Sequence, residues 1–268
     1  MLSAVFSLVL PEISTSKVLK DLLRSFEVER PPVTVRPPSW DLVKVLTYLR
    51  SSPFEPLGSV DFVKLTQKVL FLISLATAKR VSEIQALSCL VAKEGDKRVL
   101  SYLPEFVAKT ERAENPLPRS FPLKSLSDFV GNLREEMLLC PVRALDIYLK
   151  RTAFQKRPRS LFVSPKRRHL GITKNAISYF LRRLIVDAGA VEATEGPVPT
   201  AHSIRSVATS VAFSKNLALS KILEAATWRS VTTFSSFYLR DVSLSIGDIR
   251  SLGPIVTAGQ VITPTEQS

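Results

Sequence analysis

Two cysteines and two histidines are all that 268 residues contain. Cys89 and Cys140 sit among apolar neighbours at no metal-ligand spacing, so they read as buried thiols in a reducing compartment. With so few candidate ligands and no metal spacing among them, a structural zinc site is not expected. Glycine is also scarce, 9 residues against 18 prolines, and the prolines cluster, so they read as punctuation between elements. Long hydrophobic runs are missing. The longest after the N-terminus, Val69 to Ala78, is too short to span a bilayer. Met1 to Leu10 is apolar but has no basic flank and meets Pro11 and Glu12 at once, a poor match to the signal-peptide pattern. A soluble intracellular protein is expected, with no membrane partner, no repeats and no low-complexity tract.

Acidic residues are missing from one long window. Between Lys150 and Arg183 there are eleven basic residues and no aspartate or glutamate. The whole chain carries 37 basic and 24 acidic residues, a net charge of +13, whereas residues 1–58 are close to neutral, with seven basic and six acidic. The excess is local, as a polyanion-binding face would be. Lys166, Arg167, Arg168, Lys174 and Arg182 are the expected nucleic-acid contacts. Lys156-Arg-Pro-Arg159 and Lys166-Arg-Arg168 also have the composition of a nuclear import signal.

The apolar periodicity predicts a mainly helical α+β chain with a small antiparallel sheet. Residues 1–58 read as a short helical segment with a proline-rich linker, 59–244 as the principal domain and 245–268 as a tail. Helices are expected at 1–30, from Trp40 to Arg50, from Ser59 as cap through Ala76, and from Ser82 to Leu87. Short strands are expected at Val99–Tyr102, Phe106–Lys109 and Arg119–Pro122, with a turn-rich loop at Glu111–Pro116. Helices then return at Leu126–Met137 and Pro141–Arg151. After an extended piece at Ser160–Ser164, Thr173 caps a helix and Thr200 caps the next. Ser220–Ala226 and Val231–Tyr238 complete the helical set.

Thr200-Ala-His202-Ser-Ile-Arg205 places an imidazole and a guanidinium on the first turn of a helix, where free N–H groups and the dipole favour phosphate. Taken alone, that pair is an ordinary capped helix with a surface arginine. Three other features stand beside it in order: Ala-Lys-Arg80-x-Ser-Glu between two helices, Lys109 beside a loop, and Trp228 ten residues before Tyr238.

This set resembles the catalytic domain of the tyrosine recombinase/integrase family, with the DIRS-like retrotransposon recombinases as the nearest group. Leu139-Cys-Pro-Val-Arg-Ala-Leu145, Leu161-Phe-Val-Ser164, Ala225-Ala-Thr-Trp228 and Phe237-Tyr-Leu-Arg-Asp241 are similar to that group too, so the resemblance runs from about residue 40 to 262. It implies DNA breakage and rejoining in the integration of a mobile element. Tyr238 would attack the scissile phosphate and form a 3′-phosphotyrosine. Arg80 and Arg205 would clamp the non-bridging oxygens. Lys109 would protonate the 5′-hydroxyl leaving group, His202 would assist proton transfer at the tyrosine, and Trp228 would lie beside the phosphate. Neither metal nor ATP is implied, since one phosphodiester replaces another and the arginines supply the charge. The implied partner is double-stranded DNA in the nucleus, with a homotetramer on DNA, a monomer off it, and the tail from Ser245 to Ile262 passed to a neighbouring subunit or folded back on its own domain.

Lys93, Lys97, Arg112 and Arg119 are rivals to Lys109, and Tyr48, Tyr102, Tyr148 and Tyr179 to Tyr238. The family also carries a helical core-binding domain. About 58 residues precede the first core helix here, too few for a full version. A non-catalytic DNA-binding remnant is therefore the alternative, and a helical interaction protein with a basic surface a third.

Overall fold

A computed structural model gives the architecture. It describes residues 40–109, 111, 116, 118–127, 137–191, 199–214, 217–228, 231, 234–235 and 238–239, with 17, 18, 21 and 25 as isolated positions. The chain divides into two compact units, Met1–Arg36 and Pro37–Ser268, and everything below concerns the second. The segment 1–58 expected from sequence thus straddles that division.

Seven helices and three strands are described. They are α1 (Leu42–Leu49), α2 (Phe62–Thr77), α3 (Val81–Gln85), β1 (Ala92–Glu94), β2 (Lys97–Ser101), β3 (Ser120–Leu123), α4 (Pro141–Arg151), α5 (Lys174–Asp187), α6 (Ala201–Ser214) and α7 (Leu219–Ala225). Helix α2 is the axis of the core. Its sequence suggests one apolar face, yet Leu70, Phe71 and Leu75 are buried along with Leu65, Val69 and Leu72, because α4, α5 and α6 all pack against it. Asp61 caps it, accepting from Val63 N–H at 2.7 Å, in place of the expected Ser59. Elsewhere in the core, Tyr148 of α4 stacks on Phe62 at 5.7 Å and accepts the Val163 N–H at 2.9 Å, fixing the extended segment 160–164.

The sheet exists, and two of its strands overlap expected ones, β2 with Val99–Tyr102 and β3 with Arg119–Pro122. Antiparallel order β1-β2-β3 pairs Glu94 with Lys97 and Arg98 with Leu123. The hairpin between β1 and β2 turns at Gly95, whose φ of +61° lies in the left-handed region. Lys93, Glu94 and Lys97 hid that hairpin in the sequence, since β1 is exposed throughout and carries no apolar alternation. Phe106–Lys109 is not a strand. It belongs to the β2–β3 connection, where Arg119 donates to the Phe106 carbonyl at 2.7 Å and Glu111 accepts the Ala108 N–H at 3.0 Å. The expected helices at 1–30 and across Leu126–Met137, most of the Glu111–Pro116 loop, and the tail from Ser245 fall largely or wholly outside the described residues.

Thr173 caps α5 as expected, accepting from Ala176 N–H at 3.2 Å. Thr200 meets α6 through its carbonyl instead, which accepts both the N–H (2.9 Å) and the hydroxyl (2.6 Å) of Ser203. Ser203 is buried and also accepts from Trp40 Nε1 at 2.7 Å, so the first turn of α6 is tied to the residue that precedes α1.

One buried charge cluster holds α1, α2 and α4 together. The Lys68 ammonium, with no exposed side-chain surface, donates to Glu55 at 2.6 Å and to the Leu49 carbonyl at 2.7 Å. Arg143 grips both oxygens of Glu55, at 2.8 and 3.0 Å. Burial pushes the Glu55 carboxyl up, but the hydrogen bonds from Arg143 and Lys68 outweigh it and the net shift is downward. Burial pulls Lys68 down to about 8. A carboxylate held below its ordinary value contributes stability above that ordinary value and loses it as pH falls through the folded one. Glu55→Gln is therefore expected to cost about 3 kcal/mol near neutral pH by leaving Lys68 without a counter-charge. In urea titrations at a series of pH values, the stability difference from the unaltered chain should shrink as pH drops below 4.5.

Candidate active site

Five of the six expected residues meet where α3, α6 and the end of α7 converge. His202 and Arg205 share the first turns of α6 but differ in exposure: His202 faces solvent, while Arg205 is 2% exposed. His202 Nε2 lies 2.5 Å from the Tyr238 hydroxyl. The two rings are 5.1 Å apart and tilted. Tyr238 is held from its backbone, the N–H donating to the Phe234 carbonyl at 2.9 Å and the carbonyl accepting from Ser210 of α6 at 3.1 Å.

Trp228 arrives through the end of α7. Thr227 N–H donates to the Glu224 carbonyl and Trp228 N–H to the Leu223 carbonyl, the paired closing bonds of a Schellman motif. The residue in the left-handed position is Thr227, with φ of 53°. This turn lays the Trp228 ring 4.2 Å from that of Tyr238 and 4.6 Å from the Arg205 guanidinium carbon.

Arg80 caps α3. Its N–H donates to Glu83 at 2.6 Å, and its Nη1 lies 3.5 Å from Glu83 Oε1 and 3.4 Å from Thr227 Oγ1. Glu83 is 1% exposed and is shared, since Arg205 Nη1 lies 4.0 Å from its other oxygen. Arg205 also donates to the Ala226 carbonyl. Burial first, then repulsion from Arg80, pull the Arg205 guanidinium down to about 10, so it remains charged at neutral pH. Among the described residues, its Nε and Nη1, together with Trp228 Nε1, are buried donors with no hydrogen-bond partner. Two guanidinium groups around one carboxylate, with three unspent donors, form a site electrostatically short of an anion.

Lys109 stands apart. It is exposed on the β2–β3 connection, and among the described residues no hydrogen bond, ion pair or ring contact joins it to the other five. A different lysine lies nearer the arginines. The Lys79 ammonium sits 5.1 Å from the Phe121 ring centroid; burial pulls it down, Glu83 holds it up, and Arg205 and Arg80 add to the fall. Sequence reasoning quoted Lys79 and Glu83 within the Arg80 motif but gave them no part in the site. Thr227, Ser203, Ser210 and Trp40 were missed as well, because polar residues that act through distant backbone leave no local pattern.

The rival tyrosines are structural or remote. Burial pushes the Tyr148 hydroxyl up to about 12 and Tyr102 higher still. Tyr48 packs on Phe54 at 5.1 Å, and Tyr179 lies half exposed on α5. On the basic face, Lys166, Arg167, Arg168, Lys174 and Arg182 are all exposed. Lys166 and Arg167 line a cavity of about 330 Å³ with Ser164, Leu170, Gly171, Thr173 and Ala176. Other members of the charge run serve the fold: Arg151 donates to the Val60 carbonyl, Arg157 to Thr152 and Leu161, and Arg159 pairs with Glu105. No helix among the described residues is long and apolar enough to cross a membrane.

No protein-family model matches the chain, and no curated protein does. Among solved structures, it matches XerH site-specific recombinase bound to difH substrate, with a TM-score of 0.51 and 17% identity over 75% of this chain and 50% of that one. The chain thus spans half the length of that recombinase. The fold is that of a tyrosine recombinase catalytic domain. XerA recombinase (TM-score 0.49, 17% identity, 92% of this chain and 78% of that one) and a lambda integrase dimer bound to a COC′ core site (0.48, 13%, 91% and 81%) are further structures to which it is similar.

Glu83 offers a direct check of the site's charge balance. Glu83→Gln keeps an acceptor for the Arg80 N–H but leaves two guanidinium groups uncompensated. It should lower stability by about 3 kcal/mol. Sulfate should restore more of that loss than chloride at equal ionic strength, as read by thermal unfolding, because a divalent oxyanion fits the vacated charge.

Proposed function

We propose that the chain is a DNA breaking-rejoining enzyme of the tyrosine recombinase type, with Tyr238 as nucleophile. The observation that carries this reading is the 2.5 Å contact between the Tyr238 hydroxyl and His202, beside the buried and under-neutralised Arg205. A phenol with an ordinary pKa near 10 is a weak nucleophile at neutral pH and needs a proton acceptor and nearby cations. His202 would take the proton. Arg205 and Arg80 would hold the non-bridging oxygens with planar forks and stabilise the charge of the pentacoordinate state. The Tyr238 oxygen bonds to phosphorus as the bond to the 5′ oxygen breaks, and a proton passes to that oxygen. Lys109 is the donor the family resemblance implies; reaching the phosphate would bring the β2–β3 connection over the site. A 5′-hydroxyl then attacks the phosphotyrosine in the reverse step, so bond energy is conserved without ATP.

Double-stranded DNA is the proposed partner. The fold it shares with DNA-bound recombinases supports this, as do the exposed Lys166, Arg167, Arg168, Lys174 and Arg182. The motif order extends the reading to integration of a DIRS-like mobile element in a nucleus, with a tetramer assembling on DNA.

The test is adduct trapping on nicked suicide duplexes. The unaltered chain should become covalently linked to DNA, while Tyr238→Phe should retain its fold and DNA affinity and give no adduct. Adduct from Tyr238→Phe would name another tyrosine, and DNA binding with no adduct from the unaltered chain would favour a non-catalytic remnant. Reversing charge at Arg167, Arg168 and Lys174 together should also flatten the salt dependence of DNA binding, by roughly 0.9 in log–log slope for each phosphate that is no longer neutralised. An unchanged slope would remove these residues from the interface.

A further inference from the structure

Among the described residues only Ala78, Lys156 and Thr227 combine a side chain with a clearly positive φ. Ala78 and Thr227 both flank the candidate site. Ala78 ends α2 two residues before Arg80, and Thr227 ends α7 just before Trp228. Thr227 is the more anomalous. A β-branched residue is disfavoured in left-handed backbone, and the closing position of a Schellman motif ordinarily takes glycine. The motif's two backbone bonds, to Glu224 and Leu223, would form as well with glycine there. What glycine would not provide is a hydroxyl.

That hydroxyl is in use. Thr227 Oγ1 lies 3.4 Å from Arg80 Nη1 and 3.4 Å from Glu83 Oε1, closing a triangle whose third side is the 3.5 Å contact between Arg80 and Glu83. It accepts from the guanidinium and donates to the carboxylate. The Arg80 side chain is long and 21% exposed, and its other described hydrogen bond goes to that same carboxylate. Thr227 therefore supplies a second fixing point from a different element. Because the hydroxyl is neutral, it orients Arg80 without cancelling charge that Glu83 already shares between Arg80 and Arg205.

We infer that Thr227 is a positioning residue for Arg80, kept in strained backbone because its hydroxyl aims the guanidinium at the scissile phosphate. The inference rests on the proposed reading of Arg80 as a phosphate clamp. Strain retained at a working site in exchange for geometry is a recurring arrangement.

The two consequences of the hydroxyl point in opposite directions, which makes the test sharp. Thr227→Gly relieves the backbone and removes the contact. Its Tm should rise by roughly 2–4 °C. Its affinity for uncleaved duplex should match that of the unaltered chain. Its single-turnover rate of covalent adduct formation on suicide substrate should fall by roughly tenfold or more, as expected when a hydrogen bond to a charged group is removed. Thr227→Ser keeps the hydroxyl and should recover most of that rate. A purely structural role would instead lower the Tm of Thr227→Gly and leave Thr227→Ser no faster than its stability allows; either result overturns the inference. So does a Thr227→Gly chain that cleaves as fast as the unaltered one, in which case the recombinase reading stands. No adduct from the unaltered chain overturns both.

Discussion

A guanidinium that is 2% exposed must find its compensation inside the protein, and Arg205 finds it on several elements at once. Glu83 of α3 provides partial counter-charge at 4.0 Å, the carbonyl at the end of α7 accepts from Nη2, and the faces of Trp228 and Tyr238 lie at 4.6 and 5.6 Å. None of these is sufficient alone. An isolated buried cation is very costly, so α3, α6 and the turn after α7 must dock together before the site is tolerable. The placement of Tyr238 follows from the same requirement, since its ring helps to cover the buried charge.

Compensation is incomplete in one respect. Glu83 is one carboxylate for two arginines, the nearby Lys79 ammonium adds further positive charge, and the Thr227 hydroxyl, the Ala226 carbonyl and the aromatic faces bring no counter-charge. Buried donors on Arg205 and Trp228 have no partner among the described residues. Contrast the Lys68–Glu55–Arg143 cluster, where hydrogen bonds close the charges against one another and against the Leu49 carbonyl. One cluster is finished and serves the fold. The other keeps donors without partners among the described residues, beside a phenol hydrogen-bonded to an imidazole.

Much of the helical frame was legible in the sequence because burial writes a period into it. Leu42, Val45, Leu46 and Leu49 of α1, and Ile177, Leu181, Leu184 and Ile185 of α5, recur at helical spacing and are buried. The sheet was less legible. Strand β1 is exposed throughout and shows no alternation, whereas β3 alternates between exposed Ser120 and Pro122 and inward Phe121 and Leu123 and was expected. The basic run was legible as charge but not as surface. A count cannot tell Arg157, which donates to backbone carbonyls, from Lys166, which faces solvent.

By itself the sequence determined which chemistry is available: one imidazole three residues before an arginine, a second arginine between helices, a tryptophan and a late tyrosine, in that order. Residue type and local spacing are properties of the chain, and they need no fold to be read. Tertiary structure alone decided that Glu83 is divided between Arg80 and Arg205, which are 125 positions apart, and that Thr227 reaches across 147 to touch Arg80. It also decided that Trp40 anchors the turn bearing His202, and that Lys109 lies outside the cluster while Lys79 lies closer to its arginines. Such contacts depend on how helices cross and where their ends fall. The side chains that make them carry no periodic signal, because each is fixed by a partner far away in the chain.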